Sequence, residues 1–500
     1  MHRFLQRNLS RLAAATLLLA TAPALGQNAP TRPVKSNNLP GNAAPSPKEG
    51  TPDGLEPAPL EFELLGMRFR PPSGAIMRSE GTGPTATWIL TERADPPRFI
   101  LRISRLVADD AASSPRAQID AYVRSVSERP SPNAVFAVRA RKEFEMGGRP
   151  AGLLYTSLRE GTGEDEVSAV QGYFLLQTSP KEFIVISSLL AEADYASVPA
   201  LLERSFRTME LLSGEQLAAE RVARMGRGEH FLDGLDEDAL RRALDPAPRD
   251  GALPAPRWFR ISRVDPAGEV QEVGYMTLTA IDAAQGLANP DRKEQSWSNE
   301  EKERGLLARV QLRTLLDPKG ESVSDTDARY WVRWDRQREF WTVRTTLRKG
   351  RLTQSSAQLG IRTAPKAGSP RPMLEVTEVS QSVAAGEPRR WALPEHGYLS
   401  QAEALLLPRL LPRADAPTAF GFYWYDSRSG RLAQRVDTKR GLPDGAEIAT
   451  RQTLESPAIE ERVDARGILV RRASDDGSVV EAMSGEALLA LWRKKGLPTQ

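Results

Sequence analysis

Strict alternation of apolar and polar residues, in short runs closed by turns, governs the second half of this chain. Leu306, Ala308, Val310 and Leu312 fall on one face of an extended segment, and Arg309, Gln311 and Arg313 on the other. A period of two is the signature of a half-buried β-strand. Asp317-Pro318-Lys319-Gly320 follows as a turn. Further runs pair across short turns: 330–334 with 340–347, 420–425 with 431–436, and 462–464 with 467–472. One helix interrupts them at 400–411, where Pro408 is expected to introduce a kink. Another ends the chain, with Ser484 as its N-cap, Glu486 in its first turn, and Leu488, Leu491 and Trp492 facing inward. Hairpin-linked strands around two helices predict a strongly curved antiparallel sheet, a half-barrel packed on helices, over 250–500.

The first half follows a different order. Strands are expected at 62–70, 87–90, 99–106, 135–138, 150–158, 167–177 and 183–190, with Gly147-Gly148 as a hairpin turn. Ser114 and Pro115 open a helix running to about 128, and a second helix at 194–209 carries Leu201, Leu202 and Phe206 at helical spacing. The residues that carry a family likeness are Gly66–Gly74 (GMRFRPPSG), Met146–Tyr155 (MGGRPAGLLY) and the closing run from Tyr173 to Leu211. In these the segment 60–212 resembles PsbP/Mog1/DcrB-like domains. The resemblance implies an α/β/α sandwich with an antiparallel sheet, and a role in assembly or binding rather than catalysis. Residues 213–249 read as a helical connector, broken at Gly226-Arg227-Gly228 and ended by Pro246 and Pro248. The fold class expected for the whole is α+β.

The N-terminus sets the expected compartment. Arg3, Arg7 and Arg11 precede a short apolar core at 12–20, and small residues lead to a cleavage point between Gly26 and Gln27. That core is too short to persist as a membrane span, so no transmembrane anchor is expected after cleavage. Residues 27–59 are rich in Pro, Asn, Gly and Ser and read as a disordered linker. The protein is therefore expected to be exported, to the periplasm or beyond the cell. The chain has no cysteine, which excludes disulfides, thiolate nucleophiles and Cys-based zinc sites together. A formal charge of +3 with both signs interspersed excludes a phosphate-tracking stripe, so nucleic acid is not an expected partner.

Candidate chemistry is sparse. Past the signal segment only His230 and His396 remain, both in turn-like settings, and no GxSxG elbow or HExxH motif accompanies them. The acidic set Asp233, Asp236, Glu237 and Asp238 lacks the ligand spacing of a calcium loop and reads as the acidic start of a helix. No catalytic residue, metal site or cofactor is expected. What stands out is aromatic: Tyr330, Trp331, Trp334, Phe340 and Trp341 in one hairpin, and Phe420, Phe422, Tyr423, Trp424 and Tyr425 in another. Alternation places Trp334 with Tyr330, and Phe420 with Phe422 and Trp424, on shared faces.

These faces read in three ways: a packed core with cross-strand aromatic pairs, an apolar ligand groove, or a docking patch. Arg309, Arg313, Arg333 and Arg344 read as the solvated face of the same sheet, or as a headgroup site. The stretch Pro394–Pro412 (PEHGYLS…ALLLPRLLP) with the aromatic strand after it resembles the half-barrel of LolA/LolB-type lipoprotein carriers. The whole chain also resembles exported proteins of environmental bacteria. The ligand-binding residues expected on this reading are Trp334, Trp341, Phe420, Phe422 and Trp424. The expected function is non-catalytic: binding a lipid, an acyl chain or a partner's hydrophobic segment, with an envelope protein as partner. An assembly scaffold without ligand is the alternative, and an envelope hydrolase the third reading.

Overall fold

The computed structural model describes residues 53–499 apart from 57–58, 81–82, 93–96, 109–112, 128–133, 161–166, 247–253, 265–268, 318, 365–370, 381–386, 414–415 and 475–476. The expected signal segment with Gly26 and Gln27, and most of the expected linker, lie outside the described residues. The chain divides into two compact units, 1–214 and 215–500. Among the described residues no helix is long and apolar enough to cross a membrane.

Unit 1 begins before residue 60. Leu55 bridges to Pro72 and is buried, and Arg70 bonds both the Asp53 carboxylate and the Glu56 carbonyl. Strands β1 (Leu60–Phe62) and β2 (Met67–Phe69) form a small sheet with β10 (Glu210–Leu211). The main sheet is antiparallel and seven-stranded: β3 (Ala75–Glu80), β4 (Thr87–Glu92), β5 (Phe99–Val107), β6 (Ala134–Met146), β7 (Arg149–Glu160), β8 (Val167–Ser179) and β9 (Glu182–Ala191). Its spatial order is β3-β4-β5-β9-β8-β7-β6. Gly147 and Gly148 both have positive φ, as the tight turn between β6 and β7 requires.

Alternation along each strand fixes the layers. Leu101, Ile103, Leu153, Tyr155, Phe174 and Ile186 meet Leu202 and Phe206 of a helix at Val198–Arg207, together with Phe62 and Phe69 of the small sheet. The opposite face sends Leu154 and Leu175 to Ile119 and Tyr122 of the helix α1 (Pro115–Ser127). Ser114 caps α1 through its Oγ, which accepts the Ala117 N–H at 3.2 Å. The helix Val198–Arg207 is α2.

Unit 2 is one sheet of fourteen antiparallel strands with helices on both sides. It opens with helices α3 (Gly214–Asp233) and α4 (Glu237–Arg242). A meander follows: β11 (Arg257–Val264), β12 (Val270–Ala284), β13 (Arg304–Leu315), β14 (Ser322–Arg333), β15 (Glu339–Lys349), β16 (Leu352–Thr363), β17 (Met373–Ser380) and β18 (Arg389–Ala392). After α5 (Gln401–Leu410) a second meander runs β19 (Thr418–Asp426), β20 (Arg431–Leu442), β21 (Gly445–Arg451), β22 (Ile459–Asp464), β23 (Leu469–Ala473) and β24 (Ser478–Ala482), closed by α6 (Gly485–Lys494). The meanders join where β11 pairs β24, so β18 and β19 stand at opposite ends of the ladder.

Those ends touch. Flat, a sheet of this width would hold them about 60 Å apart. Yet the rings of Trp391 on β18 and Tyr425 on β19 are 5.4 Å apart, and Trp341 on β15 lies 5.7 Å from Tyr425. Leu399 N–H donates to Tyr423 O at 2.8 Å, and Tyr423 N–H to Gly397 O at 2.8 Å, so the segment leading into α5 covers the free edge of β19. The sheet therefore curls round until its rims meet through side chains, while its hydrogen-bonded ladder stays open.

Helix α5 fills the trough so formed. Ala402 and Leu406 join Ala280, Leu306, Ala308 and Val332 of β12–β14, while Ala404 and Leu407 join Phe420, Phe422 and Trp424 of β19. The outer face is covered by the turn at 285–288 over Leu307, Trp331 and Phe340, and by Leu488 and Trp492 of α6 over Leu315 and Val323.

The expected connector is part of this unit. Leu232, Leu235 and Leu240 of the α3–α4 segment pack with α5 and β19. Nor do the glycines at 226 and 228 break the helix; α3 runs straight through them. Their role is close approach. A Cβ on Gly228 would lie 1.9 Å from Gly421 O of β19, and one on Gly421 would lie 2.6 Å from Met225 Sδ. Gly228→Ala is therefore expected to destabilise unit 2 by about 2 kcal/mol despite its better helix propensity, lowering the melting temperature by roughly 5 °C. An unchanged melting curve would show that helix and strand can part at no cost.

Candidate functional site

The aromatic residues singled out from sequence take two positions in unit 2. Phe420, Phe422 and Trp424 are buried on the concave face of β19 against α5, and Trp334, just past the end of β14, packs at the border of the same cluster. Trp424 Nε1 donates to Gln452 O at 2.7 Å. Trp341 also faces inward, but at the rim, among Tyr398, Tyr425 and Leu374. Trp331 and Phe340, their sequence neighbours, point outward, and Trp331 Nε1 donates to Ala283 O at 3.0 Å. Four of the five expected residues thus gather round α5, with Trp341 set apart beside Tyr425.

Beneath the trough lies a polar group that sequence reasoning missed. Glu339, at the start of β15, is buried; it accepts the Gln401 N–H at 2.5 Å and the Tyr398 hydroxyl at 3.0 Å. Glu403 is wholly buried in α5 and forms a capping box with Ser400, accepting the Ser400 N–H at 2.9 Å. Its other oxygen accepts from the Arg336 guanidinium, which also donates to Leu232 O. Both carboxylates thereby satisfy N–H groups that the start of a helix leaves open, and sit at its positive end. The arginine takes up a carbonyl at the end of α3.

Burial acts on both carboxylates alike, and their partners drive them apart. Glu339 is pushed up to about 7 by burial, which outweighs the Gln401 N–H, Arg362 and the Tyr398 hydroxyl. In Glu403 burial acts upward too, but the charge and hydrogen bond of Arg336, with the Ser400 contacts, hold it below the ordinary carboxylate range. A split pair of this kind suits acid–base chemistry where a substrate can reach it. Here the oxygens are engaged with the start of α5, and the pair holds the helix in the trough. The sequence signal that could have found part of it is Ser400-Gln401-Ala402-Glu403, a capping-box pattern.

The expected polar face is internally paired. Arg309 bonds Asp327 at 3.0 Å, Arg313 bonds Asp325 at 2.5 Å and Arg333 bonds Asp335 at 2.6 Å, while Arg344 meets Asp291. Arg313 is buried rather than solvated, and the other three pairs are partly exposed and add little stability, but all four leave the guanidiniums committed. Beside α5 an open cavity of about 640 Å³ is lined by Leu232, Asp233, Leu235, Asp236, Glu237, Trp334, Asp335, Arg336 and Gln337. Of its carboxylates, Asp236 caps α4, Glu237 pairs Arg241 and Asp335 pairs Arg333. Among the described residues one group has donor atoms placed to hold a metal: Glu229, Asp233 and His396. In unit 1 a smaller cavity, about 360 Å³, lies over Ile89, Ile100 and Leu189 with Arg78, Glu80 and Arg102 at its side.

Fold and site together define a two-unit α+β protein whose second unit is a curled antiparallel sheet wrapped on its own helix. No protein-family model matches the chain, and no curated protein does. Parts of it are similar to solved structures, among them the following three. Cyanobacterial PsbP (CyanoP) from Synechocystis sp. PCC 6803 is 12% identical, with 32% of this chain and 93% of that one covered at a TM-score of 0.25. A protein from Bacteroides thetaiotaomicron VPI-5482 is 10% identical, covering 36% of this chain and 57% of that one at 0.20. A protein of unknown function, PA94 from Pseudomonas aeruginosa, is 12% identical, covering 30% and 94% at 0.18.

Proposed function

We propose that the chain is an exported, non-catalytic envelope protein whose curled sheet holds an apolar ligand, a lipid acyl chain or a partner's hydrophobic segment, on its concave face. The observation that carries this reading is that the trough already holds such a segment, namely α5. Ala402, Ala404, Leu406 and Leu407 of that helix are buried against both walls. An acyl chain in its place would meet Trp334, Phe420, Phe422 and Trp424, with Trp341 toward the rim. Export rests on the basic, apolar and small-residue order of 1–27. Unit 1 is assigned a docking role on its resemblance to PsbP/Mog1/DcrB-like domains.

Native mass spectrometry of the protein from its own envelope fraction, before and after solvent extraction, tests the reading. A stoichiometric lipid or apolar peptide is expected, lost in Trp424→Asp while circular dichroism shows the sheet intact. A clean unliganded mass with nothing in the extract would move the assignment to a scaffold without ligand. That second reading has its own support in β6. It is a thirteen-residue edge strand exposing Val135 and Val138, open to pairing with a partner's strand.

A further inference from the structure

Glu229 and Asp233 lie one turn apart at the end of α3, and His396 reaches them from the segment that leads into α5. His396 Nδ1 stands 3.7 Å from Asp233 Oδ1 and 4.0 Å from Glu229 Oε1. These separations are too long for hydrogen bonds. We infer that the three residues form a divalent-metal site of the one-imidazole, two-carboxylate class, with zinc as its preferred ion.

Electrostatics supports a cation at this point. Two carboxylates at i and i+4 repel each other across a helix face. They also crowd the negative end of the helix dipole, where basic side chains are normally favoured. Nothing in the packing forces them there, since the side chains of Glu229, Asp233 and His396 are 47%, 55% and 53% exposed. A metal between them converts that repulsion into ligation.

The geometry is close to what an ion needs. Zinc bonds imidazole nitrogen and carboxylate oxygen at about 2.0–2.2 Å, which sets tetrahedral ligand atoms roughly 3.4 Å apart. The observed spacings close to that value with small rotations of exposed side chains. The backbone beneath the histidine is already fixed. Gly397 has φ +74°, and its carbonyl and the Leu399 N–H both bond Tyr423 on β19. Asp233 also lines the 640 Å³ cavity, and all three side chains are about half exposed, so water or an incoming donor can reach an ion held between them. Imidazole nitrogen in the set argues against calcium and magnesium, which take oxygen ligands almost entirely.

The test uses the full chain, without a histidine tag, dialysed against micromolar zinc chloride and measured for bound metal by plasma mass spectrometry. One zinc per chain is expected. His396→Ala should abolish its retention, and Asp233→Asn should weaken binding on the order of tenfold or more. His230→Ala, the next residue along the same helix from Glu229, should bind as wild type does, and circular dichroism should show all three variants folded. With cobalt in place of zinc, intense visible d–d bands should report low coordination with a nitrogen ligand and vanish in His396→Ala. A wild-type chain that retains no zinc would overturn the assignment, as would a His396→Ala protein that retains it or a His230→Ala protein that loses it.

Discussion

Replacing Glu339 by glutamine is expected to make the protein more stable than wild type at alkaline pH, by on the order of 3 kcal/mol near pH 9, and to leave the two alike below about pH 4.5. The carboxyl is buried at the start of β15, and burial raises it from 4.5 to about 7 against the opposing pull of the Gln401 N–H, Arg362 and the Tyr398 hydroxyl. Between those two values the folded protein keeps a proton that the unfolded chain has released. The native state then binds more protons than the unfolded one, so stability falls as pH rises through this window. Glutamine stays neutral throughout, can still accept the Gln401 N–H, and can donate to the Tyr398 oxygen.

Other groups do not produce the same signature. Glu403, the second carboxylate of the network, lies below its ordinary range, so its contribution is lost only on acidification. Tyr398 is pushed well above its usual value by burial and then by Glu339, so it remains neutral across the window. Denaturant midpoints measured across pH for both proteins give the difference directly. Parallel curves from pH 4 to about 9 would mean that Glu339 ionises freely where it sits.

The fold was legible where a residue's role is set by its neighbours in sequence. The alternation of Leu306, Ala308, Val310 and Leu312 implies a two-faced strand, and β13 is one. Ser114 and Pro115, Gly147 and Gly148, and Ser484 mark their helix starts and turn because caps and tight turns are local. Strands β12, β16 and β17 were not anticipated; β16 interleaves polar residues with small ones and carries a weak period, the burial along β12 is irregular, and β17 keeps a period of two only over Leu374–Thr377. Gly228 was misread for a deeper reason: a glycine that breaks a helix and one that lets a strand approach it look identical until Gly421 is seen beside it.

The site was legible only in its aromatic part. Neighbouring aromatics such as Trp331 and Tyr330 separate onto opposite faces as period two demands. Which of them meets α5 and which meets the 285–288 turn depends on the curl of the whole sheet. The polar network and the metal-binding trio draw on residues far apart in sequence, Arg336 with Glu403 and Asp233 with His396. No local pattern encodes such a juxtaposition.

Loss of the Arg336 side chain is expected to be the most damaging single change in unit 2. Arg336 is the one non-glycine residue with positive φ among those described, at 61°, in the turn between β14 and β15. A left-handed conformation costs an ordinary residue about 1–2 kcal/mol, and glycine would remove that cost. The arginine side chain explains why it is there. From this turn its guanidinium reaches both Leu232 O at the end of α3 and Glu403 in the first turn of α5, adding a polar tie to the apolar contact of Leu232 with Leu407.

Arg336→Ala keeps the backbone strain and strands a wholly buried carboxylate, a loss of about 3–5 kcal/mol for a broken buried pair. The deficit should grow as pH rises above about 4.5, because Glu403 without its partner can lower its cost only by holding a proton. Pairing the change with Glu403→Gln should recover part of the loss, since the double variant leaves no unpaired charge. Urea unfolding of wild type, both single variants and the double variant at pH 5 and about pH 8 measures the coupling. If the double variant falls by the sum of the two single losses at both pH values, the pair does not hold α5 in the trough, and the packing of Ala402, Leu406 and Leu407 must do so alone.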